Sequence, residues 1–208
     1  MKDLDTARSH PSRRSISRAG LAAALTLGIL ASAAQAKAQK SPPEPRIPPL
    51  ESSQSPLNLL KTLANHPQLI EAWGPFGGYI VRNSTLPPRD RELLILRTVF
   101  LCGAEYEWGH HTRGARQAGI ISDEEILRIT EGPETSGWSS FDRALLRAAS
   151  ELHRSSTISD RTWAYLDARY DEKQLMDVVF TVGQYNMVSM ALRSFRVPMD
   201  EGLEGFPD

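Results

Sequence analysis

Among the 208 residues only one cysteine occurs, Cys102, so no intrachain disulfide can form and no cysteine-pair peroxide chemistry can run within one subunit. Excess charge of either sign is also missing. Lys and Arg number 24 against 25 Asp and Glu, and the formal net charge is −1. That balance, with no Lys/Arg cluster beyond the N-terminal stretch, excludes a nucleic-acid footprint, and no nucleic-acid partner is expected. Glycine-rich nucleotide loops, internal repeats, heptad arrays and alternating strand runs bounded by hairpin turns are all absent, which leaves an all-α domain as the expected class.

The first 38 residues are distinct from the rest. Arg13, Arg14 and Arg18 precede an apolar run at 19–34, and Ala34, Ala36 and Ala38 offer A-x-A cleavage patterns. The string SRRSISR resembles a twin-arginine export signal, although Ile16 is followed by Ser17 rather than a second large apolar residue. At sixteen residues the run is shorter than the roughly 20 that a spanning helix needs. Segment 1–38 therefore reads as an export signal handled by the twin-arginine machinery, with a periplasmic or otherwise exported product. The alternative is a membrane tether through 19–34. Removing the segment takes away six basic and two acidic residues, leaving 18 against 23 in a mature chain of net −5.

Residues 39–56 hold six prolines and read as an extended linker. A helical domain is expected over 57–200, with 201–208 as a C-terminal tail. Residues 57–67 offer a short helix, followed by 68–82, a segment that Gly77 and Gly78 bend or close-pack and in which Tyr79 is a core aromatic. Pro87 and Pro88 fit the first turn of the next helix, where Asp90 and Glu92 suit the positive end. Leu93, Leu96 and Phe100 cover its circumference, so it should be central. Gly103 marks a break, followed by a helix from about Ala104 to Ala118. Ser122 with Glu125 forms a capping-box pattern, Ser159 a cap, and Asp171 with Gln174 the start of a long helix ending before Pro198. This gives about six to eight helices.

The richest stretch chemically is CGAEYEWGHH, 102–111. Residues four apart share a helix face, so Glu107 stands beside His111 and Tyr106 beside His110. An imidazole held by a carboxylate could act as general acid and base on a small organic substrate. The plain alternative is an intrahelical ion pair worth about 0.2–0.5 kcal/mol. Glu107, His110 and His111, with Glu92, could donate to a metal, but adjacent histidines diverge by about 100° and the H-E-x-x-H order is missing. No metal is assigned. Cys102 reads as a structural thiol, with a site-lining or redox-sensitive role behind it.

The segment PPRDRELLILRTVFLCGAEYEWGHHTRGARQAGIISDEEI, supported by VVFTVGQYNMVSMAL, resembles the carboxymuconolactone decarboxylase family, which includes the alkylhydroperoxidase D-type proteins. The resemblance covers most of 57–200 and implies an all-helical fold assembled as a homotrimer or homohexamer. Peroxidase members carry a C-x-x-C pair after the break, with a glutamate before it and a histidine four residues beyond. Matching that motif puts Glu92 at the glutamate, Ala104 and Glu107 at the two cysteines, Tyr106 at the histidine between them and His111 at the distal histidine. Both redox sulfurs are therefore missing, and Cys102 lies outside their positions.

Decarboxylase-type members imply work without metal or organic cofactor on a small carboxylated lactone. On that resemblance Glu107 and His111 are the candidate acid/base groups, and Glu92 orients or protonates the histidine. His110 or Tyr106 would hold an oxyanion, and Arg97 would meet a substrate carboxylate. The expected function is a cofactor-independent lyase or isomerase of a small carbonyl or carboxylate compound. The alternatives are a peroxiredoxin-type antioxidant protein and a noncatalytic oligomeric binding protein.

Overall fold

The computed structural model describes residues 44–207; residues 1–38, expected to be an export signal, lie outside them. Eight helices and no strand occur among the described residues: α1 (Asn58–Leu63), α2 (Pro67–Arg82), α3 (Pro88–Cys102), α4 (Glu105–Ala118), α5 (Asp123–Glu131), α6 (Ser140–Ser155), α7 (Asp160–Asp167) and α8 (Glu172–Phe195). The fold is all-α, as the sequence indicates.

Helix α3 is the axis. Leu93, Leu94, Ile95, Leu96 and Val99 are completely buried, because this apolar run covers most of the helix circumference and needs neighbours on several sides. It packs against α4, α5, α6 and α8. Each buried side chain of this kind contributes roughly 1.5–3 kcal/mol of transfer free energy. Pro88 occupies the first position of α3, where its missing N–H removes nothing.

At the other end Gly103 adopts φ +66°, and the amides of Gly103 and Ala104 return to the carbonyls of Phe100 and Val99. This left-handed cap turns the chain within two residues and lays α4 back along α3. Ser122, Ser159 and Asp171 cap their helices as read, with full capping boxes at Ser122 and Asp171. Ser139, unrecognised in the sequence, caps α6.

Helix α2 runs unbroken through Pro75, Gly77 and Gly78, and Gly77 close-packs against the Trp73 ring, one of the two uses expected of the pair. Tyr79 is not a core aromatic: it is 38 % exposed and donates to Asp177. The tail is packed down, with the Phe206 ring meeting Phe100 and Trp108 edge to face. Gly109 permits that crossing, since a Cβ there would stand 2.8 Å from the Glu204 carbonyl oxygen.

In the stretch preceding α1, the Arg46 amide donates to the Phe195 carbonyl and the Leu50 amide to that of Lys61. Along the outer face of α8, Met176, Phe180, Met187 and Met190 are each about half or more exposed. No helix among the described residues is long and apolar enough to cross a membrane.

Candidate active site

Because α4 runs back along α3, a residue in the second turn of α3 faces one in the middle of α4. Glu92 and His111 meet there, with His111 Nδ1 2.7 Å from Glu92 Oε2. The other ring nitrogen, Nε2, is 2.8 Å from the Tyr185 hydroxyl and 3.5 Å from Glu107 Oε2. All three groups around the imidazole are nearly buried, and His111 keeps 14 % of its side chain exposed.

Burial alone would drive the His111 proton off. The charge of Glu92, followed by hydrogen bonding to Glu107 and Glu92, overrides it and raises the histidine to about 10. At neutral pH His111 is therefore an imidazolium, donating through Nδ1 to Glu92 and through Nε2 to Tyr185. The Tyr185 phenol is pushed well above its usual value by burial and by Glu107 and Glu92, with Arg91 pulling the other way. It stays protonated.

Glu92 and His111 border an open hollow of about 520 Å³, together with Arg91 and His110. Glu107 does not border it. Glu92 Oε1 makes no hydrogen bond among the described residues, so the carboxylate has one oxygen committed to His111 and one available.

The sequence-derived candidates divide accordingly. Glu92, Glu107 and His111 come together in one cluster. His110 reaches the hollow, but its Nε2 lies 2.8 Å from Asp200 Oδ2. Tyr106 does not reach it: its hydroxyl donates to Asp200 and accepts from the Leu59 amide, so it fastens α1 to the segment following α8 rather than holding an oxyanion.

Arg97 is likewise misplaced as a carboxylate partner. Its guanidinium donates to the Ile129 and Thr130 carbonyls and to Ser150 Oγ, tying α3 to the end of α5 and to α6. Carbonyls exposed at a helix end are good acceptors for it.

Cys102 opens onto a different hollow, of about 350 Å³, beside His153, Asn186 and Ser189. Its thiol donates to Asn186 Oδ1 at 3.2 Å, with His153 Nδ1 3.5 Å away. Burial pushes that thiol up despite Ser189 and Arg193, so it is not a ready thiolate. No group of three or more His, Cys, Asp or Glu is placed to hold a metal ion among the described residues.

Two members of the cluster went unrecognised. Tyr185 lies 74 positions from His111 in an apolar helix, with no local pattern to mark it. Arg91 did have a signal. It adjoins Glu92, whereas Arg97 is five residues further along, about 140° around the helix.

Residues 67–151 match the carboxymuconolactone decarboxylase family, which bears out the resemblance over that segment. No curated protein matches the chain. Solved structures share the fold at low identity. One is a protein of unknown function from Agrobacterium tumefaciens, provisionally assigned to antioxidant defence as AhpD; it is 20 % identical, with a TM-score of 0.59 over 66 % of this chain and 94 % of that one. An uncharacterised peroxidase-related protein from Silicibacter sp. TM1040 is 16 % identical, with a TM-score of 0.64 over 73 % and 81 %. The debrominase Bmp8, solved with 2,3,4-tribromopyrrole, is 15 % identical, with a TM-score of 0.62 over 74 % and 91 %.

Proposed function

We propose that this chain, matched by the carboxymuconolactone decarboxylase family over residues 67–151, is a cofactor-independent acid/base enzyme, a lyase or isomerase of a small carbonyl or carboxylate compound. The observation that carries this reading is the 2.7 Å Glu92–His111 pair on the wall of an open hollow large enough for a small molecule.

The pair divides the work differently from the sequence expectation. A histidine held up to about 10 is an acid at neutral pH, so the proton acceptor is a carboxylate. Glu92, through its available oxygen, exchanges the proton with the ligand. His111 is its counterion and proton reservoir, and Glu107 and Tyr185 hold the ring from behind. In an isomerisation Glu92 takes a proton from the carbon next to a carbonyl and returns one at a second carbon. In a decarboxylation the bonding pair stays on carbon as carbon dioxide leaves, and the pair supplies the proton that quenches the enolate.

We propose assembly as a homotrimer or homohexamer, for which the apolar outer face of α8 provides support. Thiol peroxidase chemistry is disfavoured by the two missing sulfurs and by a Cys102 thiol whose burial keeps it protonated. The test is turnover of small carboxylated lactones and enones by purified protein. E92Q and H111N should each lose about 10²-fold or more, and E107Q less. Unchanged turnover in both E92Q and H111N, with assembly intact, removes the reading.

A further inference from the structure

Helix α3 carries three arginines, and two are fully engaged. Arg89 bridges Glu125 and Asp142, and Arg97 is held by carbonyls and Ser150. The Arg91 side chain has no hydrogen bond and no ion pair among the described residues, and its Nε is buried without a partner. Yet it stands beside Glu92 on the wall of the hollow, and its charge reaches Tyr185. A guanidinium cannot shed its proton in the physiological range, so one partly out of water with no counterion favours an anion.

The surroundings narrow the chemistry of that anion. Both ring nitrogens of His111 are engaged, with Glu92 on one side and Tyr185 and Glu107 on the other, and His110 Nε2 lies against Asp200, so Arg91 is the side chain at the hollow whose donors have no partner among the described residues. A monoanion pairs with the guanidinium at the least repulsion from Glu92; a phosphate dianion would bring a second negative charge next to that carboxylate. The flat fork of a guanidinium matches the two oxygens of a carboxylate. Pro88, Ala115, Ala118 and Ile120 line the remaining wall, giving an apolar body somewhere to rest.

We propose that Arg91 is the anchor of an anion subsite, and that the hollow takes small amphipathic monocarboxylates by seating the carboxylate on Arg91 with the neighbouring carbons over Glu92 and His111. This places the charge recognition one residue before the proton-exchanging group, so the reacting carbon lies close to the carboxylate, in a short molecule. The proposal leans on the acid/base reading only for what the anchored molecule meets; its anionic character rests on Arg91 alone.

Calorimetric titration of the full chain with propanoate, 4-oxopentanoate and benzoate, each against its methyl ester, tests it. The wild type should bind carboxylates at least tenfold more tightly than esters. R91Q should bind the carboxylates about 10- to 100-fold more weakly and the esters unchanged, with R91K in between. Melting curves and sedimentation verify that each variant folds and assembles. Equal binding of acids and esters by the wild type overturns the proposal, as does no binding of either, or wild-type affinity in folded R91Q. So does a change in oligomer size in R91Q with carboxylate binding intact, which would assign Arg91 to a carboxylate of a second copy. H111N separates the two claims: carboxylate binding kept by H111N but lost by R91Q upholds the subsite even if no proton transfer is ever found.

Discussion

Stability should fall with rising pH through a range where an ordinary histidine is already neutral, and His111 should be responsible. In the unfolded chain the imidazole gives up its proton near 6.5; in the fold, burial opposes the charge but Glu92 and Glu107 hold it up to about 10. Below 6.5 both states are protonated and the contribution is complete. Between 6.5 and about 10 the folded state carries the extra proton, so unfolding becomes easier by about 1.4 kcal/mol for each pH step of one. Above that the contribution is gone. From 6.5 to about pH 9 the loss is about 3 kcal/mol, a large share of the roughly 5–15 kcal/mol that stabilises a typical domain.

Cys102 would add a loss of the same sign once unfolded thiols ionise, because burial raises it in the fold. The comparison is therefore C102S against C102S/H111N. Stopping at about pH 9 keeps the phenols of Tyr106, Tyr170 and Tyr185, all pushed upward, out of the result. Urea denaturation followed by circular dichroism gives the free energy at each pH. The first protein should show the decline and the second should lack most of it. Equal slopes in the two would refute a cationic His111.

Three other outcomes are expected. Y185F removes the hydroxyl that accepts from His111 Nε2 and should lower turnover about tenfold with little change in melting temperature; wild-type kinetics would release Tyr185 from the site. C102S should leave turnover within about twofold of wild type, because the thiol opens onto a separate hollow; a large loss would tie that hollow to the chemistry. G109A should destabilise by about 1–3 kcal/mol and expose Trp108, seen as red-shifted fluorescence, since its Cβ would press on the Glu204 carbonyl and Leu203. An unshifted spectrum at wild-type stability would mean that the tail does not need the glycine.

What the sequence disclosed was whatever helix geometry encodes locally. Capping at Ser122, Ser159 and Asp171, the turn at Gly103 and the Glu107–His111 neighbourhood all follow from spacings of a few residues. The Glu92–His111 pairing spans 19 positions and came from the family motif, because only the antiparallel packing of α3 and α4 makes it physical. Tyr185 depends on where α8 packs, which no local spacing states. Arg97 is a cation on the central helix, but helix rotation turns it toward α5 and α6 while Arg91 turns toward the hollow. Tyr106 has the chemistry of an oxyanion donor, but the segment following α8 brings Asp200 to it first.

The most direct measurement is solvent hydrogen exchange. Purified protein is incubated in deuterium oxide with 4-oxopentanoate, and loss of the proton signals next to the ketone is followed by NMR. Exchange by the wild type should run well above the buffer rate and return to that rate in both E92Q and H111N. Exchange at the wild-type rate in either folded variant, or buffer-rate exchange by the wild type itself, would contradict the acid/base reading.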